Sequence, residues 1–203
     1  MKRSPYNMDY TLQLSREKFA KQEPLRMAEQ SDCYFSPATE SFTVPFLGRT
    51  YTVSYPDGSA TDTKQQEADA TTTVLLLHYL SNASGAPLSG EWITFRELPS
   101  GAVYTSAFQK RAIIPFVKAF GTQPTALTAV AGRLNGKLSS HGDLSCIIPV
   151  LPRIPLLFIL WYGDNELPPG GNILFDRHAH TYMHTEDFAV LAGQTVSAMR
   201  KLV

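Results

Sequence analysis

A chain of 203 residues in which 18 basic side chains balance 18 acidic ones has no net charge to drive binding to a polyanion. With 43% hydrophobic and 18% charged residues it holds enough apolar material for a core, which excludes a wholly disordered chain. No apolar run approaches the roughly 18–20 residues that span a bilayer, and no apolar signal segment follows the basic start "MKRSPYNMDYTLQLSREKF". The expectation is a cytoplasmic protein with neither a membrane nor a nucleic-acid partner. Cys33 and Cys146 are too few for an iron–sulfur cluster or a four-cysteine zinc site. Both are expected to be buried free thiols.

In chain order, Tyr10 to Gln22 reads as an amphipathic helix with Tyr10, Leu14 and Phe19 on its inner face. Pro24 to Gln30 reads as a second short helix with proline near its start. Phe42, Val44 and Phe46, then Tyr51, Val53 and Tyr55, alternate about Leu47-Gly48, which predicts a β-hairpin. Pro56-Asp57-Gly58 marks a turn. Glu67 to Ala83 reads as a helix with an acidic start and a glycine stop at Gly85. A strand through the β-branched Thr71–Val74 run is the competing reading.

Trp92 to Leu98 reads as a strand closed by Pro99-Ser100-Gly101, and Val103 to Phe120 as a helix that Pro115 kinks or splits. A short helix is expected from Pro124 to Leu134. Leu144 to Val150 and Pro155 to Tyr162 read as buried strands, the second with Phe158 and Leu160 inaccessible and Pro168 to Gly171 forming an exposed turn after it. Thr185 is the expected N-cap of a C-terminal amphipathic helix carrying Phe188, Leu191, Thr195, Met199 and Leu202. Hairpin and helices without strict β-α-β alternation make the fold class α+β. The expectation is a single domain with a mixed or antiparallel sheet and several packed helices. Residues 1–38 form an N-terminal helical segment and 39–203 the globular domain.

Four groups of residues have chemistry to offer. His178, His180 and His184, near Asp176, Glu186 and Asp187, contain donors for zinc or iron; the other reading is a solvated connector running into a helix cap. His78, in the apolar "VLLLHYL", is either a hydrogen-bonded core residue or an axial ligand. The candidate metal ligands are therefore His78, His180 and His184. Asp164 and Glu166 could serve as general acid and base if both face one cleft, or simply solubilise a strand end. "HGDLSCIIP" places His141, Asp143, Ser145 and Cys146 together, without the glycine elbow of a serine hydrolase. Trp92, Phe95, Arg96 and Tyr104 could cradle a flat ligand with a polar rim, alongside Trp161, Asp164, Glu166 and Asp176. Arg96 is expected beside Asp164 or Asp176 as a charge-assisted partner. Trp161, if its indole is buried, should cost roughly 3–5 kcal/mol when cut to Ala.

The stretches "LLLHYLSNASGAPLSGEWITFRELPSGAVY", "GDLSCIIPVLPRIPLLFILWYGDNELPPGGNILFD" and "HTYMHTEDFAVLAG" resemble domain-of-unknown-function family 3786 of bacteria and archaea, over about residues 40 to 195. The resemblance implies no established activity. Some members carry a cysteine-rich segment in front, similar to the iron–sulfur part of corrinoid iron–sulfur proteins; a single N-terminal cysteine here cannot hold that cluster. By association the resemblance implies anaerobic one-carbon or corrinoid metabolism. The expected function is a non-enzymatic ligand-binding accessory protein for a corrinoid such as cobalamin or a related tetrapyrrole, with a corrinoid or iron–sulfur protein as a partner. The alternatives are a metal- or carboxylate-assisted hydrolase and an interaction subunit docking through its C-terminal helix.

Overall fold

The computed structural model describes residues 8–203, which divide into two compact units. The first comprises the chain up to Ala86 with Thr181–Met183, and the second Pro87–His180 with His184–Val203. The chain passes between the units after Ala86, after His180 and after Met183.

The first unit contains α1 (Met8–Phe19), α2 (Pro24–Ser31), β1 (Tyr34–Ser36), β2 (Ser41–Phe46), β3 (Arg49–Ser54), β4 (Ala60–Asp62) and α3 (Ala70–Asn82). Its strands form an antiparallel meander in the order β1-β2-β3-β4. The β2–β3 hairpin forms as its alternation predicts, because Leu47 and Gly48 both take positive φ and match the twist of the strands they join. Inward residues Phe35 and Phe42 meet at 4.8 Å between ring centroids, and Phe19 reaches Phe42 at 5.7 Å. Asp69 caps α3 by accepting the Thr72 N–H at 2.9 Å, so the helix prevails over the competing strand. The inner face of α1 differs from the expected one. Ser15 and Phe19 are buried, whereas Tyr10 and Leu14 are exposed.

The second unit is a five-stranded antiparallel sheet, ordered β5-β9-β8-β7-β6, with helices on one face. Its strands are β5 (Trp92–Thr94), β6 (Lys137–Ser139), β7 (Leu144–Leu151), β8 (Ile154–Trp161) and β9 (Gly170–Asp176). Its helices are α4 (Gly101–Phe108), α5 (Ile114–Phe120), α6 (Pro124–Arg133) and α7 (Thr185–Arg200). Phe158 and Leu160 are fully buried, as the apolar run requires. The register sets Phe158 opposite Ile173 and Cys146, and the Phe116 ring of α5 packs on it at 5.3 Å.

Three local expectations are corrected here. The strand from Trp92 stops at Thr94, because the Glu97 carboxylate accepts both the Thr94 N–H and its hydroxyl at 2.8 Å and turns Phe95–Glu97 into a 3-10 helix. The expected exposed turn ends at Pro169. Gly170 and Gly171 already belong to β9, and a Cβ on Gly171 would lie 2.9 Å from the Phe116 ring and from Val117. His184, not Thr185, occupies the N-cap of α7; Thr185 is its first residue and donates its hydroxyl to Pro99 O at 2.5 Å.

Pro115 divides the long helix without ending it. It brings no N–H, and its ring clashes with the carbonyl four residues back. Gln109–Ile113 widen into a π turn, and Ile114 donates its N–H to Gln109 O, five residues earlier. Among the described residues no helix is long and apolar enough to cross a membrane.

Candidate ligand-binding site

β8 runs out of the core at Trp161 and Tyr162, whose side chains are 43% and 49% exposed. The chain then forms a loop tied to its own carboxylate. Asp164 accepts the N–H groups of Glu166 and Leu167, each at 2.8 Å, and donates its own N–H to Leu167 O at 2.9 Å. The amides of Leu167 and Glu166 hold the Asp164 carboxyl below its ordinary value. Tyr162 is anchored through its N–H to Asp143 at 2.7 Å. Between this loop and Gly121–Thr122, just beyond α5, lies an open depression of about 500 Å³ whose rim includes Glu166, Leu167 and Pro169. At one side of the depression Gly121 and Pro169 approach closely, for a Cβ on Gly121 would meet Pro169 at 2.8 Å.

The other sequence candidates are placed elsewhere. Asp176 is 2% exposed and accepts three backbone N–H groups, from His178 at 2.9 Å, Gly90 at 3.0 Å and Ser89 at 3.1 Å. Burial pushes its carboxyl up, but these bonds together outweigh burial and leave it below the ordinary value. The expected Arg96 pairing is therefore corrected. Backbone amides satisfy both Asp164 and Asp176, and Arg96 stands exposed on the 3-10 turn. Phe95 is a core residue stacked on Phe108 at 4.2 Å. Trp92, opposite Asp176 in the sheet, and Tyr104 on α4 are half-buried.

The histidines are also engaged. His78 Nε2 lies 2.8 Å from Ser15 Oγ, between α3 and α1. His180 and His178 donate from Nδ1 to Arg177 O and Pro87 O at 2.9 and 2.8 Å. Among the described residues no three His, Cys, Asp or Glu side chains gather as a metal-binding group. The "HGDLSC" run does not assemble a nucleophile. Ser145 Oγ accepts the His141 N–H, and the His141 ring faces Ser139 instead. Burial raises the thiols of Cys33 and Cys146 to about 11 and about 12, so neither is a thiolate near neutral pH.

Of the sequence candidates, the structure therefore brings Asp164 and Glu166 to one depression and leaves Trp161 exposed at the end of the strand that leads to it. Tyr162, Leu167 and the Gly121–Thr122 wall were missed. The only sequence signal for that wall was the glycine that stops α5. Because the Trp161 indole is half exposed, Trp161→Ala is expected to cost about 1 kcal/mol or less, rather than the loss a buried indole would bring. A urea melt checks this.

A family model described as Domain of unknown function (DUF3786) matches residues 23–198. No curated protein and no solved structure matches the chain.

Proposed function

We propose that this chain, which belongs to the family described as Domain of unknown function (DUF3786), is a non-enzymatic ligand-binding accessory protein. One observation carries the reading. Asp164, Asp176 and His78 are committed to backbone or core hydrogen bonds, which leaves the Glu166 carboxylate on the depression without a second free acid or base from that set, while Trp161, Tyr162 and Leu167 stand exposed around the end of β8. Acid–base catalysis by a carboxylate pair needs both groups free to exchange a proton with substrate, and Asp164 is held by the Glu166 and Leu167 amides. Recognition needs apolar surface with a few fixed polar groups, in a recess that usually measures about 300–1,000 Å³.

The proposed ligand is a corrinoid or related tetrapyrrole, the class that the sequence resemblance implies. An open depression of about 500 Å³ would seat one edge of such a macrocycle. The side chains of Leu167 and Pro169 would meet its apolar face, and those of Asn165 and Glu166 its polar rim. None of His78, His180 and His184 lines the depression, so in this reading the protein holds the ring without ligating its metal. A hydrolase using Asp164, Glu166, Asp176 and the late histidines is disfavoured, since Asp176 is buried under the Ser89–Gly90 amides.

Titration of the chain with cobalamin, followed by visible absorbance and tryptophan fluorescence, tests the proposal. The expected result is saturable binding at or below tens of micromolar, weakened about ten-fold by Leu167→Ala. No spectral change at roughly 100 µM ligand would sink it.

A further inference from the structure

Between Glu97 and Asp143 the chain contains no acidic residue, yet it contains Lys110, Arg111, Lys118, Arg133 and Lys137. Because the whole chain is neutral, the remainder carries a matching excess of five carboxylates. The cations are therefore segregated, although no contiguous basic block shows in the sequence. All five are exposed.

Three of them lie on the run formed by α4, the π turn and α5. Its inner face buries Phe108, Ala112, Ile113, Phe116 and Phe120. Its outer face presents Val103 at 76% exposure and Ile114 at 57%. The order Val103, Lys110, Ile114, Lys118 steps by seven, four and four residues, which keeps all four on one side of a helix. At about 1.5 Å per residue this stripe is roughly 22 Å long. Arg111 lies beside it, and among the described residues no carboxylate pairs with Lys110, Arg111 or Lys118.

A single exposed aliphatic residue needs no explanation. Two in register, interleaved with unneutralised cations, have the pattern of a helix that receives another helix. Apolar anchors bury against the partner, and flanking charges select its sign. We propose that this stripe docks an acidic amphipathic helix of a partner protein, one that offers aliphatic side chains three turns apart with Glu or Asp beside them. The chemistry favours this occupant over two other anions. A lipid surface calls for a broad apolar face with Trp, Phe or Leu to insert, and only Val and Ile protrude here. A nucleic-acid backbone would leave those two side chains facing phosphate, with no aromatic on the stripe to stack a base. The proposal stands independently of the macrocycle reading.

The test uses the full chain and a labelled synthetic helix of roughly 18 residues, with leucines three turns apart flanked by glutamates. Fluorescence anisotropy should show saturable binding in the micromolar range. About 0.5 M salt should weaken it roughly ten-fold, as should Lys110→Glu combined with Lys118→Glu. Ile114→Ser should weaken it at least about five-fold without changing its salt dependence. Circular dichroism reports whether the variants fold. If the double variant does not, the salt series and Ile114→Ser decide. Equal affinity for a glutamate helix that lacks leucines would overturn the proposal. So would tighter binding to phosphatidylglycerol vesicles or to single-stranded DNA, or no binding at tens of micromolar.

Discussion

Phe175→Ala is expected to destabilise the chain by roughly 3–5 kcal/mol. Phe175 is fully buried on β9, and its ring meets three others: Phe188 of α7 at 5.4 Å, Phe95 of the 3-10 turn at 5.8 Å and Phe108 of α4 at 5.9 Å. One side chain therefore joins the sheet to three separate segments on its helical face. Truncation removes its transfer free energy and leaves a cavity that three ring-bearing segments cannot all close at once. The edge-to-face pairs with Phe95 and Phe188 add about 0.5–1.5 kcal/mol each beyond area burial. Urea melts of wild type, Phe175→Leu and Phe175→Ala should show a graded loss with the Leu variant between the other two. A loss below about 1.5 kcal/mol for the Ala variant would show that this cluster does not hold the second unit together.

Asp176→Ala is expected to cost about 3 kcal/mol, because a buried carboxylate leaves and the N–H groups of Ser89, Gly90 and His178 lose their acceptor. Asp176→Asn keeps the shape and one acceptor oxygen but loses the charge, so its cost is smaller. The effect should depend on pH in one direction. The folded-state carboxyl sits below its ordinary value of 3.8, so the contribution is fully present above that value and is lost as pH falls through the lower folded one. The stability gap between wild type and Asp176→Asn, measured by urea melts, should therefore be widest near neutrality and shrink below pH about 4. A gap that grows on acidification would mean that the carboxyl is not held ionised by these amides.

Much of the scaffold could be read directly from the residues. The β2–β3 hairpin, β7, β8, α6 and α7 follow from periodicity and turn chemistry, because each encodes its own burial in a local pattern. The Phe188, Leu191, Thr195 and Met199 series is inward along α7, as its spacing requires. Pro115 announced a disturbance in the long helix, and its missing N–H accounts for the π turn that appears there. The α+β class follows from these elements together, and the apolar run of β8 fixes which strand fills the middle of the second sheet.

Tertiary structure alone decided where the polar groups go. Sequence chemistry paired Arg96 with a carboxylate, since opposite charges attract. The folded chain gives both carboxylates to backbone amides, which are more numerous and reach them without ordering a long side chain. Whether Trp161 is inside or outside depended on where β8 leaves the core, a matter of one residue in an unbroken apolar run. The Gly121–Thr122 wall depended on α5 ending against a loop more than forty residues further on. A local pattern records which side of an element is apolar. It holds no record of which distant N–H will meet a given oxygen, and so the core of this protein was set by its sequence pattern while its candidate site was set by long-range packing.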